Sequence, residues 1–193
     1  MPEYYYTHTP NSEHEERHFT SVFMGKTLAF ETDAGVFSKQ HIDPGSEILC
    51  KSLPELHGRV LDMGWGAMTV MTLSRFPSLE VTMADVNERA LDLAVRNVQK
   101  NSMQAKAVLS DGFANIEGEF DAVITNPPIR AGKAVIYQMF ADAKAHLADG
   151  GILVLVIRKQ QGAPSALKYL KELYVEAETI ERDGGYWVIA CRK

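Results

Sequence analysis

The residues best suited to chemistry follow the apolar segment 120–125, where the chain continues as Asn126-Pro127-Pro128-Ile129. Two consecutive prolines remove two backbone donors and fix φ, so this segment predicts a rigid corner. Such a corner holds the Asn126 amide oxygen and the Pro127 carbonyl oxygen as two aligned acceptors. Because two acceptors match the two hydrogens of an exocyclic or amide NH2 group, the sequence predicts a site that binds an amino group here.

A glycine pair follows another apolar segment, in the run Asp62-Met63-Gly64-Trp65-Gly66. Gly64 permits a tight turn, and Gly66 lets a ligand approach the backbone. A dinucleotide fingerprint requires a further glycine where Thr69 stands, so that class of cofactor is disfavoured. An acidic residue before the first glycine suits a cationic amino group better than a pyrophosphate.

Two more acidic residues end predicted strands. Asp85 stands 23 positions after Asp62, which is the expected place for a carboxylate that accepts ribose hydroxyls. Asp111-Gly112-Phe113 follows the next strand, with Asp111 placed for an adenine amino group and Phe113 for its ring. The three acids and the Asn-Pro-Pro corner together predict a nucleoside-type cofactor.

Strands and helices that alternate from Arg59 onward must position these groups. The pattern predicts right-handed crossovers and a doubly wound α/β fold in a single domain, residues 1–193, with 1–42 as an amino-terminal β extension. The extension contains a hairpin around Gly25-Lys26, and Asp43-Pro44 opens a helix. Near the carboxyl terminus, a helix over 135–147 is expected to stop at Asp149-Gly150-Gly151, and a hairpin around Asp183-Gly184-Gly185 adds an antiparallel strand.

Composition narrows the class of protein. The chain has 193 residues, 46% hydrophobic and 23% charged, without a stretch that could span a membrane. Its two cysteines, Cys50 and Cys191, are far apart, which is typical of reduced thiols in a cytoplasmic protein. The net charge of −5 argues against strong, indiscriminate binding of nucleic acid, so any nucleic-acid partner must be held by a local basic rim.

The sequence resembles the class I S-adenosylmethionine-dependent methyltransferases of the small-domain type, especially the ribosomal small-subunit RNA guanine-N2 methyltransferases and their short relatives. The resemblance is carried by the segments 33–38, 43–46, 62–66, 85–90 and 126–133. It implies a seven-stranded sheet whose last strand is antiparallel. It also implies contacts with S-adenosylmethionine from Phe37, Asp62, Gly64, Gly66, Asp85, Val86, Asp111, Gly112, Phe113 and Asn126, with the corner residues Asn126, Pro127, Pro128 and Ile129 at the target nitrogen.

The resemblance predicts methylation of the exocyclic N2 of a guanine in small-subunit ribosomal RNA. A base in structured RNA must be extruded into the pocket. Arg130 and Lys133 follow the corner, and Arg158-Lys159 follow the next strand, so all four are expected on one rim that holds phosphates. A solvated loop is the alternative interpretation of these four cations.

Two other functions stay open at this point. The same corner could bind a protein glutamine amide or a small amine. A non-catalytic relative with weakened cofactor binding is also open, because Met68 and Trp65 stand where the family usually has small residues. The run His14-Glu15-Glu16-Arg17-His18 matches a zinc-protease pattern but lacks an amphipathic helix around it, so we predict no metal and no membrane partner.

Overall fold

A seven-stranded sheet positions the candidate site. The computed structural model describes residues 16–33, 41–64 and 66–193, so Phe37 and Trp65 lie outside the described residues. The strands of the sheet are β3 (Arg59–Met63), β4 (Glu80–Asp85), β5 (Lys106–Leu109), β6 (Phe120–Thr125), β7 (Leu147–Arg158), β8 (Glu176–Asp183) and β9 (Tyr186–Arg192). Their order is β5-β4-β3-β6-β7-β9-β8, with β9 antiparallel to both neighbours. The predicted doubly wound sheet with an antiparallel final strand is confirmed.

Helices cover both faces of this sheet. They are α1 (Pro44–Ser52), α2 (Ala67–Arg75), α3 (Glu88–Lys100), α4 (Lys133–His146) and α5 (Ala163–Leu173). Alternate residues of β6 enter different cores, since successive side chains of a strand point to opposite faces. Ala122 and Ile124 pack with α1, α2 and α3, whereas Val123 packs with α4 and α5. This two-sided burial explains why β6 is apolar at consecutive positions.

A separate hairpin precedes the sheet. Its strands are β1 (Arg17–Phe23) and β2 (Lys26–Thr32), and the turn is Met24-Gly25, one residue earlier than predicted. Met24 has φ of 48° and Gly25 has φ of 81°, as a two-residue turn with positive φ at both centres requires. His18 therefore lies on a strand, and a zinc-binding helix cannot include it.

Two asparagines of α3 hold the hairpin against the domain. The Asn97 Oδ1 accepts from the Glu31 backbone N–H at 2.6 Å, and its Nδ2 donates to the Glu31 carbonyl at 3.0 Å. Asn101 makes the same pair of bonds with Ala29, at 3.0 and 2.7 Å. Because the two side chains are four residues apart on one helix face, they satisfy the outer edge of β2 as a neighbouring strand would.

The junction between α4 and β7 differs from the sequence prediction. The helix begins at Lys133 and ends at His146, and β7 begins at once with the fully buried Leu147. Leu147 pairs with Phe120 and Ile152 pairs with Ala122, so Asp149-Gly150-Gly151 forms an irregularity inside β7 instead of a loop before it. Burial of Leu147 in the core explains why the strand starts before the glycines.

Within the described ranges, no helix is long and apolar enough to cross a membrane.

Candidate active site

A cavity of about 1320 Å3 opens at the carboxyl ends of the parallel strands. The order of the strands reverses between β3 and β6, and this switch point is where open α/β sheets bind ligands. Every described residue of the predicted cofactor and corner sets lines the cavity: Asp62, Gly64, Gly66, Asp85, Val86, Asp111, Gly112, Phe113, Asn126, Pro127, Pro128 and Ile129. The tertiary structure thus brings together groups that are up to 67 positions apart in the sequence, from Asp62 to Ile129.

Asp62 is a buried carboxyl group in the wall of the cavity. Its side chain is completely buried at the end of β3, and the Thr69 hydroxyl donates to Oδ2 at 2.6 Å. The other oxygen, Oδ1, is buried without a hydrogen-bond partner. Burial raises the pKa of Asp62 to about 7, and the hydrogen bonds from Thr69 oppose the shift. A buried carboxylate oxygen without a donor is costly, so this position favours a ligand that brings a cationic donor.

Asp85 ends β4 beside Asp62. Its Oδ1 accepts from the Asn87 backbone N–H at 2.8 Å, and Asn87 caps α3 by accepting from the N–H groups of Arg89 and Ala90. Burial raises the pKa of Asp85 to about 6, against the hydrogen bonds from the Asn87 and Val86 backbone. The capped helix therefore fixes Asp85 at the cavity wall, where a carboxylate can accept from hydroxyl groups.

The loop after β5 forms the next part of the wall. Ser110 Oγ donates to the Gly112 carbonyl at 2.9 Å and accepts from the Asn115 N–H at 3.0 Å. Asp111 is exposed at the cavity, and the Phe113 ring stacks on His146 with centroids 5.2 Å apart. The loop is thus a fixed turn that offers one carboxylate and one aromatic pair.

Gly66 has a different reason to be glycine from the one predicted. A Cβ at this position would lie 2.6 Å from the Ala94 Cβ, and φ is +88°. The close approach is therefore between the start of α2 and helix α3, as well as at the cavity wall. Gly64 has more room, since its Cβ would lie 3.8 Å from the Met68 Cε. Met68 itself is buried and lines the cavity.

Gly66→Ala is expected to lower the free energy of unfolding by about 3 kcal/mol, because it adds left-handed backbone strain to an overpacked helix contact. Gly25→Ala is the matched control, since Gly25 has φ of +81° and nothing within 4 Å of its Cβ position. The control should lose only about 1 kcal/mol. Chemical denaturation of both variants measures the difference, and equal losses would contradict a steric role for Ala94.

The side chain of Asn126 is hydrogen-bonded to the first turn of α1. Its Nδ2 donates to Asp43 Oδ2 at 2.9 Å and to Ser46 Oγ at 3.0 Å. Asp43 is also the N-cap of α1, where the same Oδ2 accepts from the Ser46 N–H at 2.9 Å. The predicted acceptor corner is therefore connected to the helix that the segment Asp43-Pro44 opens.

Tyr186 closes the cavity beside this turn. Gly45 makes room for it, since a Cβ on Gly45 would lie 2.6 Å from the Tyr186 Cε1. The Arg158 Nη2 donates to the Tyr186 hydroxyl at 2.6 Å, and its guanidinium carbon lies 4.7 Å from the ring centroid. Arg158 is thus oriented at the cavity wall by an aromatic residue of β9.

The four predicted phosphate-binding cations do not share one wall. Arg130 and Arg158 line the cavity, whereas Lys133 and Lys159 do not. The Lys133 Nζ lies 5.0 Å from the ring centroid of Tyr137, which stacks on Tyr169 of α5. Lys133 therefore lies on the side of α4 that packs against α5, and only the two arginines border the candidate site.

Several residues of the site were missed by sequence reasoning. They are Asp43 and Ser46, which accept from Asn126; Thr69, which donates to Asp62; Tyr186, which accepts from Arg158; and His146, which stacks on Phe113. Thr69 was noticed only as the absence of a glycine, although a hydroxyl seven positions after a buried acid was an available signal. The pairings of Asn126 and Tyr186 with α1 had no such signal, because they join segments that are 80 or more positions apart.

The fold and the cavity together define a Rossmann-like, S-adenosylmethionine-dependent methyltransferase, as the sequence predicted. A family model described as "Methyltransferase small domain" matches residues 27–190, and the chain belongs to this family.

Two relatives are similar to this chain in sequence. An uncharacterized protein of Bacillus subtilis, YbxB, is 38% identical over the full length of both chains. The ribosomal RNA small subunit methyltransferase C of Shewanella denitrificans is 35% identical over 82% of this chain and 47% of its own length. The chain thus spans about half the length of that relative.

Among solved structures, that of the T. thermophilus 16S rRNA N2 G1207 methyltransferase (RsmC) in complex with AdoMet and guanosine aligns with a TM-score of 0.82. It is 27% identical, and the alignment covers 95% of this chain and 52% of the other. The fold and the small-domain methyltransferase family are therefore shared with enzymes named for ribosomal RNA.

Proposed function

We propose that this protein transfers a methyl group from S-adenosylmethionine to the exocyclic N2 of a guanine in small-subunit ribosomal RNA. One observation supports the proposal above the others: the Asn126 corner lines the same cavity as Asp62, whose buried carboxylate oxygen Oδ1 has no hydrogen-bond partner. The first suits an NH2 group, and the second suits a cationic amino group. Residues 43–193 are proposed to form the cofactor-binding and catalytic core, with residues 1–42 as an amino-terminal β extension.

The residues of the strand ends fit the cofactor. Asp62 would bind its α-amino group through Oδ1, and Gly64 and Gly66 would lie against the same end. Asp85 would accept from the ribose hydroxyls, and Asp111 with Phe113 would hold the adenine. Val86 and Gly112 line the same cavity, while the predicted contact of Phe37 lies outside the described residues. When bound, the cofactor supplies an electrophilic methyl group on a sulfonium and leaves as S-adenosylhomocysteine.

The corner would activate the nucleophile. The lone pair of an exocyclic nitrogen is conjugated with the base, so the nitrogen is a poor nucleophile in the free nucleotide. Hydrogen bonds from both N–H groups to the Asn126 and Pro127 oxygens would turn the nitrogen toward tetrahedral geometry and free that lone pair. The methylated nitrogen would then release one of its two protons to solvent. Pro128 and Ile129 would keep the corner rigid and wall the pocket. Positioning of this kind can lower the activation free energy by on the order of 7 kcal/mol.

A ribosomal RNA substrate is supported by the named relatives and by the arginines at the cavity wall. The relatives are a ribosomal RNA small subunit methyltransferase and a 16S rRNA guanine-N2 methyltransferase. Arg130 and Arg158 would hold phosphates beside an extruded base, and Lys133 and Lys159 would contact the strand further out. Such a substrate also implies a cytoplasmic enzyme.

Transfer of a tritiated methyl group tests the proposal. Small subunits, naked ribosomal RNA and a soluble protein fraction are each incubated with the enzyme and labelled cofactor, and the labelled nucleoside is identified after digestion. Label in N2-methylguanosine is expected from the subunit or RNA. Label in a glutamine amide of the protein fraction would overturn the substrate. If calorimetry detects no cofactor binding near millimolar concentration, the protein would be a non-catalytic relative. Met68→Gly would then test whether the buried Met68 side chain blocks the cofactor.

Arg130→Glu is expected to weaken RNA binding about tenfold, because one phosphate contact is lost. The slope of the logarithm of the binding constant against the logarithm of the salt concentration should become shallower by about one. Lys106→Glu is the matched control, since Lys106 begins β5 at the amino ends of the parallel strands and does not line the cavity. Filter binding over a range of salt concentrations measures both variants. Equal affinities of the two would show that Arg130 is only a solvated loop residue.

A further inference from the structure

The side-chain amide of Asn126 donates two hydrogen bonds through the same atom. Nδ2 donates to Asp43 Oδ2 at 2.9 Å and to Ser46 Oγ at 3.0 Å. An amide nitrogen carries two hydrogens, so both are used by these acceptors. A carboxylate can only accept, so Asp43 fixes which end of the amide faces α1. The Oδ1 atom is consequently left for the cavity that Asn126 lines.

The two acceptors are themselves held in place. Asp43 Oδ2 accepts from the Ser46 N–H at 2.9 Å as the N-cap of α1, and the Ser46 hydroxyl lies 3.5 Å from the same oxygen. The Ser46 hydroxyl can therefore direct its hydrogen to Asp43 and a lone pair to Asn126. Ser46 is only 4% exposed, so water competes little for these bonds.

We propose that Asp43 and Ser46 are positioning residues that lock the Asn126 amide with its oxygen toward the substrate nitrogen. This inference rests on the proposed N-methyl transfer and names residues that determine which group the corner accepts. A freely rotating Asn126 amide would turn its NH2 end toward the substrate for part of the time. That NH2 group and the substrate amino group are both donors, so they would repel each other. The locked amide makes the corner specific for a hydrogen-bond donor. A carbonyl or other acceptor placed at the same point is disfavoured.

Three substitutions separate this role from helix capping. Asp43→Ser retains a good N-cap but shortens the side chain away from Asn126. Asp43→Asn retains both the cap and an oxygen that can accept from Nδ2. Ser46→Ala removes one of the two acceptors without removing the cap. Ser52→Ala is the control, because the Ser52 hydroxyl bonds the Ile48 carbonyl at the other end of α1.

The expected kinetic pattern distinguishes positioning from folding. We expect kcat to fall about 100-fold for Asp43→Ser and about tenfold for Ser46→Ala, since small misplacements at a reacting centre have effects of this size. Asp43→Asn should stay within about threefold of wild type, and Ser52→Ala should be unchanged. Asp43 and Ser46 line the cavity beside Asn126. The cofactor is assigned to Asp62, Asp85 and Asp111, so its affinity, measured by calorimetry, should stay within about twofold in all four variants. An Asp43→Ser variant with wild-type kcat would overturn the inference.

A second measurement does not depend on turnover. The side-chain NH2 resonances of Asn126, identified by their loss in Asn126→Ala, should exchange slowly with solvent in the wild-type protein. Exchange should accelerate at least about tenfold in Asp43→Ser and Ser46→Ala. Slow exchange together with a wild type that methylates no RNA would refute the proposed function and retain the locked amide. Equal exchange rates in wild type and Asp43→Ser would refute the locked amide itself.

Discussion

Asn126→Ala is expected to lower kcat about a thousandfold while the affinity for S-adenosylmethionine changes less than about threefold. Alanine removes the Oδ1 acceptor that faces the cavity, and it leaves Asp62, Asp85 and the loop after β5 intact. The loss should therefore fall on the chemical step and not on cofactor binding. Single-turnover methyl transfer to the RNA substrate, combined with calorimetry of the cofactor, measures the two effects separately.

Gln160→Ala is the matched control for this substitution. Gln160 is an exposed amide residue in the turn after β7, and it is not among the residues that line the cavity. Its truncation removes the same chemical group without touching the corner, so its turnover should equal that of the wild type. Undiminished methyl transfer by Asn126→Ala would contradict the assignment of the corner as the catalytic site.

Asp62→Asn is expected to weaken S-adenosylmethionine binding by about a hundredfold, because an amide cannot pair with the cationic amino group as a carboxylate does. In the wild type the affinity should rise with pH and level off above about 7, since burial raises the pKa of Asp62 to about 7 and the ionised form binds the cation. The variant should lack this dependence. Calorimetry at pH 6 and pH 8 in buffers of different ionisation enthalpy measures the affinity and the proton released on binding.

The same substitution should have the opposite effect on the unliganded protein. The folded-state pKa of about 7 lies above the ordinary value of 3.8, so the protonated carboxyl favours folding below pH 4 and that contribution disappears as the pH rises through 7. The loss is on the order of 4 kcal/mol for this buried group. The free energy of unfolding of Asp62→Asn, relative to that of the wild type, should therefore increase between pH 4 and pH 7. The Nδ2 group of the new asparagine has no acceptor and reduces this gain in part. Thermal unfolding across this range checks it, and parallel curves would contradict the raised pKa.

Asp121→Asn is a suitable control for these two measurements. Asp121 accepts from the Arg59 backbone N–H at 2.7 Å at the start of β3, away from the cavity. It should alter neither the affinity for the cofactor nor the dependence of that affinity on pH. A fall in affinity for both variants would indicate a general disturbance of β3 instead of a lost contact.

The sequence determined most of the elements and which residue types could form the site, because these depend on local physics. The predicted apolar segment 120–125 is strand β6, and Asp85 ends β4 as predicted. Glycines and acids at strand ends predicted the cofactor side, since parallel strands bring their carboxyl ends to one edge. Signals of this kind act within a few residues, so they can be read along the chain.

Only the tertiary structure decided how the site is held. Thr69 fixes one oxygen of Asp62, and the first turn of α1 fixes Asn126 from a segment 80 or more positions away. The strand β7 starts before its glycines because Leu147 is buried in the core, which overrides the local turn signal. Packing also directed Lys133 toward Tyr137 and left Arg130 and Arg158 at the cavity. The sequence thus determined which groups could bind an amino nitrogen and a cationic cofactor, whereas the packing of α1 against the corner decided which end of the Asn126 amide faces α1.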